Sequence, residues 1–552
     1  MARTAVLGGE TSSRGFFGGR VGKVRIWALS ITGGLGFIFS MLWMPQGIFV
    51  GAGLVGFAFL VTMTTENGTL FSRWIQRLAW VSKVRDGYDV YIPYLPEMYK
   101  KLTDEYTAAT DRATRRQAII NLRAMRDTPD GLSGFSWLRS GQNLTGIQLH
   151  EPPGEAPYLA VTFATKGQVE GLDSDERFDA ASESASRFLA GIGSLNSLPE
   201  RVQYISHIQH ADAAYHESWL RDQLDTDARS RSISGKEMPR VPYIVGESYK
   251  QLVDTYTSAS PVQDRYITVS WPLNRRFKAR AARRRPGRDG WVLLMEEEIR
   301  EITVALESAG FLGVTGLTAR QTAALIRHLQ IPNYDLRRVA DLSPYMGFLP
   351  SQESWAYTTY TSEIGGQMVS SLTRTARITA EHMETGVRNS FWHDALLTRM
   401  NRSVVRTIAF HLEIIPQKQA RKAAAADFTS DESERLTASK KGRLIDAETI
   451  VGQRASERRM IDLQPGSGHA GVNWVGYITV YAPDIPGLID ATEAIEDAAT
   501  KSGIDHLEWL DAKHAQTNAN TWPVGRGIKP ASRSVDTKFR DLIAGTGAKE
   551  SL

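Results

Sequence analysis

The chain has 552 residues, more than one hydrophobic core usually serves, and about three folded units are expected at that length. Its 65 Lys and Arg against 61 Asp and Glu give a net charge of +4, a mild balance that does not by itself imply a nucleic-acid partner. There is no cysteine, which excludes disulfides, thiolate metal sites and cysteine nucleophiles.

Residues 1–25 are rich in Gly, Ser, Thr and Arg and read as a cytoplasmic tail. From Ile26 to Thr65 no charged side chain occurs. A membrane helix needs about 20 apolar residues, and this run is about twice that long. Pro45-Gln46-Gly47 breaks it, because Pro removes a donor and Gly permits a tight reversal. The pattern predicts a transmembrane helical hairpin over 26–65, with helices from about Ile26 to Met44 and about Ile48 to Thr65. Arg14, Arg20, Lys23 and Arg25 before it, and Arg73, Arg77, Lys83 and Arg85 after it, place both termini in the cytoplasm by the positive-inside rule. The expected location is therefore the cytoplasmic (inner) membrane, multi-pass with two spans. The competing reading is a buried helical hairpin of a large soluble domain. Gly47 and Gly51 have the small-xxx-small spacing of self-associating helices, and a homo-oligomer is expected.

Residues 66–85 put Leu70, Phe71, Trp74 and Ile75 largely on one helical face and Arg on the other. Such a helix either lies among lipid headgroups or packs on the soluble body. From Asp86 the pattern turns to mixed helix and strand. A first α+β domain is expected over 86–235, with helical spacing from Glu97 to Arg126 and strands at Leu144–Leu149, Tyr158–Ala164 and Val202–Ile208. Between the last two strands Glu176 to Ala190 reads as a helix, and after them the polar stretch 226–239 reads as a loop. A second unit, 236–348, repeats the theme: a helix at Tyr243–Tyr256, a strand at Arg265–Trp271 and a helix at Trp291–Ser308. The next helix is capped by Thr318, with Gln321 at capping-box spacing. The C-terminal unit, 349–530, has strands at Trp355–Thr361, Val404–Ile415 and Val475–Tyr481, a helix at Pro486–Ser502, and a charged helical segment over 417–460. A polar tail, 531–552, closes the chain. The expected fold class is α+β: the hairpin, then duplicated α+β cytoplasmic units with antiparallel sheets.

No phosphate-binding loop is present. Gly22-Lys23 and Gly235-Lys236 lack both the earlier Gly and the following Ser/Thr hydroxyl, so no ATP hydrolysis is expected. His207, His210, His216 and Glu217 cluster in sequence, but residues three apart on a strand face opposite sides. Ordinary surface or core histidines are preferred over metal ligands. Ser467 and His469 lie close together without a nucleophile elbow, and a loop explains them better. No catalytic residue, cofactor site or metal site is named, and the chain is not read as an enzyme. The sharpest charge feature is Arg275, Arg276, Lys278, Arg280, Arg283, Arg284, Arg285 and Arg288. Three readings stay open for it: nucleic-acid phosphates, anionic lipid headgroups, or a solvated loop.

The hairpin with its Trp/Arg flank resembles the PrgI-like module of conjugation systems. The run from Leu507 to Gly527, closing on Trp522-Pro523-Val524-Gly525-Arg526-Gly527, resembles the end of the N-terminal domain of VirB-type conjugation ATPases. Leu317 to Pro332 and the start at Pro416 resemble the middle of the same family. The order of these stretches resembles an actinobacterial membrane-anchored fusion of the two modules, without the RecA-like motor that follows in the ATPases. The resemblance implies a non-catalytic, membrane-anchored structural component of a type IV secretion-like DNA-transfer machine. Its partners would be a separately encoded ATPase, other channel subunits and membrane lipid, with DNA as an open case. Gln516, Trp522, Pro523, Gly525, Arg526 and Gly527 are the expected partner-facing junction, against an ordinary domain end. The rival function is a membrane-tethered DNA-binding protein using segment 275–288.

Overall fold

The computed structural model describes residues 4–7, 23–42, 46–61, 64–65, 68–168, 174–194, 196–210, 248–249, 251–253, 255, 261–332, 336, 342–364, 366–384, 386–389, 392–397, 400, 404–440, 447–464, 467 and 469–528. Arg14, Arg20, Pro45, His216, Glu217, Lys236, the loop 226–239, most of the helix expected at Tyr243–Tyr256 and the tail 531–552 lie outside them.

Near the start, strand β1 (Thr4–Leu7) precedes helices α1 (Lys23–Leu42) and α2 (Gln46–Val61). These two helices pack so closely that a Cβ on Gly51 would sit 2.9 Å from the Gly36 Cα. The hairpin exists, but its membrane-spanning role is overturned: among the described residues no helix is long and apolar enough to cross a membrane. Helix α2 has 16 residues, about 24 Å at 1.5 Å per residue, against a hydrocarbon core of about 30 Å. Helix α1 has 20 residues but begins with Lys23 and Arg25 in its first turn, which leaves an uncharged part of only about 25 Å. The expected two-span, inner-membrane location falls with it.

A two-stranded turn, β2 (Thr64–Thr65) with β3 (Gly68–Thr69), leads into α3 (Leu70–Arg85). Then follow β4 (Val90–Pro93), α4 (Pro96–Ala108), α5 (Arg112–Ala124), β5 (Met125–Arg126), β6 (Phe135–Arg139), β7 (Ile147–His150) and β8 (Tyr158–Thr165). Helix α6 (Asp175–Ile192) precedes β9 (Arg201–His210) and β10 (Pro261–Pro272). Next come α7 (Arg275–Ala282), α8 (Gly287–Ser308), β11 (Thr315–Gly316) and α9 (Ala319–His328), then β12 (Ser351–Glu353), β13 (Thr358–Ile364) and β14 (Gln367–Ile378). The last stretch holds β15 (Gly386–Asn389), α10 (Asp394–Leu397), β16 (Arg406–Ile415), α11 (Gln417–Lys440), α12 (Ala447–Asp462), β17 (Gly471–Ala482), α13 (Ile485–Lys501), β18 (Glu508–Trp509) and α14 (His514–Asn518). The capping box at Thr318 is formed, with Thr318 Oγ1 accepting from Gln321 N–H and Gln321 Oε1 accepting from Thr318 N–H.

The strands do not form a separate sheet for each expected unit. Fourteen of them join one sheet along the path β5-β4-β12-β13-β14-β17-β16-β9-β10-β8-β7-β6, with β11 added at β8 and β18 at β14. The β4–β5 pair is parallel, and the pairs through the middle are antiparallel. Strand β9 is the seam: Arg201 to Ser206 and beyond pair with β10 on one side and with β16 on the other. The fold is thus mixed helix and strand around one large, mostly antiparallel sheet.

Side chains alternate across a strand, and the two faces differ in chemistry. One face carries Leu159, Val161, Phe163, Val202, Ile267, Val269 and Trp271, packed against α6 and α8. Further along, Ile378, Ile408, Ile478 and Val480 meet α13 through Leu488 and Ile495. The opposite face carries Gln148, His150, Thr162, Gln203, His207, Thr268, Thr375, Thr407 and Thr479, all buried. It is covered by α9 and by the segment 514–527, whose Trp522 and Val524 share a core with Leu325, Ile326, Leu329 and Tyr360.

Helix α3 is fastened to this body from the sheet edge. Trp80 meets Trp355 edge-on at 6.1 Å between ring centroids. Lys83 reaches inward to Asp130 at 2.7 Å and to Glu353, whose side chain is fully buried. The other Glu353 oxygen accepts the Ala515 N–H at 3.1 Å. Replacing Glu353 by Ala leaves the Lys83 charge and the Ala515 amide without that acceptor. A loss of about 3 kcal/mol is expected, read from the urea midpoint; a loss below about 1 kcal/mol, the size of an exposed pair, contradicts this role for Glu353.

Candidate functional site

Much of the stretch expected to face a partner is buried against the sheet. After Lys513 the backbone makes a short helix and a 3-10 turn (Ala519–Thr521), then crosses the polar sheet face. Buried backbone groups need partners, and the strands supply them. Gln203 Nε2 donates to the Asn520 and Trp522 carbonyls at 3.0 and 2.8 Å, and Gln203 Oε1 accepts the Gly525 N–H at 2.8 Å. The Pro523 carbonyl accepts from Gln148 Nε2 at 2.8 Å and Thr162 Oγ1 at 3.1 Å. Pro523 has no N–H of its own to satisfy. Tyr158 donates its hydroxyl to the Val524 carbonyl and Tyr477 to the Gly527 carbonyl. His411 Nε2 lies 2.7 Å from the Asn520 carbonyl and donates to it.

The two glycines of the turn are explained by the same close approach. Gly525 has φ +63, and a Cβ there would come within 2.2 Å of Ser270 Oγ. At Gly527 a Cβ would meet the His411 ring at 2.4 Å. Trp522 is 0% exposed and stacks on Phe348. Trp522, Pro523 and Gly525 are therefore interior, not a face open to a partner. Gln516 is exposed, while Arg526 and Gly527 are half-buried. Arg526 is itself engaged, with Glu155 at 3.1 Å and with the Gly131 carbonyl.

Several of the described histidines are used inside the fold. His207 is fully buried on the polar face with Nδ1 2.8 Å from Thr407 Oγ1, and His216 and Glu217 fall outside the described residues. Among the described residues no group of three or more His, Cys, Asp or Glu could hold a metal ion. His150 stacks on Tyr158 at 4.4 Å, and His514 lies 3.3 Å from Asp511. Burial, with Arg526 nearby, lowers His150 to about 3; burial lowers His411 to about 4. The Ser467 hydroxyl accepts the His469 backbone N–H at 3.4 Å, a turn contact.

The basic run folds into a corner, α7 followed by the start of α8. Asn274 caps α7 by accepting the Phe277 N–H, and Phe277 and Ala281 anchor it in the core. Two of the cations serve the fold. Arg284 pairs with Glu297, and Arg280 lies 3.8 Å from Glu298 and donates to the Asn196 carbonyl. Glu298 also accepts the Trp271 indole N–H at 3.0 Å. Arg275, Arg276, Lys278, Arg283, Arg285 and Arg288 are exposed and within 4.0 Å of no described carboxylate.

No family model matches this chain, and no curated protein does. The site is therefore read from its own geometry. Sequence reasoning missed the covering role of 514–527, Gln148, Gln203 and His411. The available signal was the polar residue at alternate positions of strands otherwise rich in Val, Ile and Leu.

Gln203 is the central clasp of this segment. Gln203→Leu keeps the bulk but leaves the buried Gly525 N–H without an acceptor and takes one of two donors from each of the Asn520 and Trp522 carbonyls, which keep His411 and the Val524 N–H. A loss of about 2 kcal/mol in unfolding free energy is expected, and an unchanged urea midpoint contradicts the assignment. The histidines give a pH dependence of definite sign. With folded values below the ordinary 6.5, the unfolded chain binds protons that the folded chain refuses, so stability falls as pH drops from about 6.5 towards about 4. His411→Gln removes one such proton and flattens the slope by up to about 1.4 kcal/mol per pH unit in that window; an identical slope in both proteins refutes it.

Proposed function

We propose that this chain is a non-catalytic structural component of a conjugative DNA-transfer machine, docking a separately encoded ATPase motor. The observation that carries the reading is the meeting of two stretches that resemble the N-terminal domain of VirB-type ATPases. Leu317, Leu325, Ile326, Leu329 and Ile331 pack in one core with Ala519, Trp522 and Val524, although they lie far apart in sequence. In those ATPases the motor follows the closing turn, and here that turn closes on half-buried Arg526 and Gly527. In this reading the motor docks on the surface around Arg526 and Gly527. The inward commitments of His150, His207, His411 and His514 support the non-catalytic part of the reading.

Reconstitution tests this. The purified chain, mixed with the P-loop ATPase encoded nearest its gene, is expected to co-elute on a sizing column, and alone to turn over no ATP. Separate elution, or ATP hydrolysis by the chain free of its partner, overturns the proposal.

A further inference from the structure

The corner formed by α7 and the start of α8 has a use that the fold itself does not explain. Arg280 and Arg284 have acidic partners in the body, in Glu298 and Glu297. Arg275, Arg276, Lys278, Arg283, Arg285 and Arg288 have no such partner within 4.0 Å among the described residues, and all are exposed. The nearby acids are Glu200, which feels Arg276, and Asp289 at the first turn of α8. Like charges held this close repel one another, and the rigid frame that holds them is built: Asn274 caps the helix, and Phe277 is 0% exposed.

We propose that these cations form a sequence-indifferent docking surface for the phosphodiester backbone of duplex nucleic acid. Guanidinium groups suit phosphate oxygens, which they meet with paired donors. Stable anchoring on lipid adds buried apolar area to charge, and this corner has no such area to offer. No large hydrophobic side chain of 274–290 is exposed, since Phe277 points into the core. The same fact argues for duplex over single strand, as unpaired bases bind by stacking on exposed aromatic rings. It also argues against base reading, which needs a helix or strand in a groove with side chains on base edges. What is left is backbone contact. This inference stands apart from motor docking, and neither test bears on the other.

The test is fluorescence anisotropy of the full chain with a labelled duplex of arbitrary sequence, titrated over salt. The expected slope of log affinity against log salt is about −3 to −5, for between three and six phosphates met. The variant R275Q/R276Q/K278Q/R283Q/R285Q/R288Q is expected to bind at least about tenfold more weakly and to lose most of the slope. R284Q, whose charge Glu297 already balances, is expected to change affinity less than about threefold. Thermal midpoints of both variants, all of whose changes are on the surface, check the fold. Unchanged binding by the multiple variant overturns the proposal. So does tighter binding of single strand than duplex, or binding of phosphatidylglycerol vesicles through these residues without binding of duplex.

Discussion

A sheet with one apolar and one polar face needs two different covers, and the polar one is the harder to provide. Gln148, Thr162, Gln203, Thr268, Thr407 and Thr479 are all buried, and each donor or acceptor among them costs about 1–3 kcal/mol if left unmet. Helices cover the other face by burying Leu and Ile, but a helix has few backbone groups to offer a polar face. The segment 514–527 resolves this by crossing the strands with its own carbonyls turned towards them, so that Asn520, Trp522, Pro523 and Val524 each accept from a strand side chain. The rest of the architecture is arranged to keep that segment in place.

The same segment connects regions remote in sequence. Glu353 holds Lys83 of α3 with one oxygen and the Ala515 amide with the other. Arg526 reaches Glu155, in the turn between β7 and β8. Helix α3, next to the apolar hairpin, is thereby tied to the beginning of the covering segment, while the end of the segment is tied to the opposite part of the sheet.

Strands such as Tyr158–Thr165 and Arg406–Ile415, buried on both faces, were legible in the sequence because short runs rich in β-branched and aromatic residues leave a direct trace. So was the Thr318 cap, a local interaction between near neighbours. The hairpin misled because freedom from charge between Ile26 and Thr65 measures composition, whereas crossing a bilayer depends on the length of each helix after the break. One continuous sheet was not legible either: β9 lies beside β16 through pairing of residues about 200 positions apart, Thr407 with His207 among them, and nothing local encodes that. The covering role of 514–527 was not legible because its residues, Gly525 and Gly527 above all, are chosen for close approach and not for periodicity. Whether the basic corner is paired was equally invisible, since Glu297 and Glu298 lie on the next helix and only the fold turns them towards Arg284 and Arg280.

The most direct measurement is native-state hydrogen exchange at the backbone amides of Val524 and Gly525, compared with those of β16 and β17. If the segment is the second cover of the sheet, these amides open only with the whole body, and their exchange free energies match those of the central strands within about 1 kcal/mol. Exchange by local fraying, several kcal/mol below the strands, would show that the sheet stands without its cover and would contradict the account at its base.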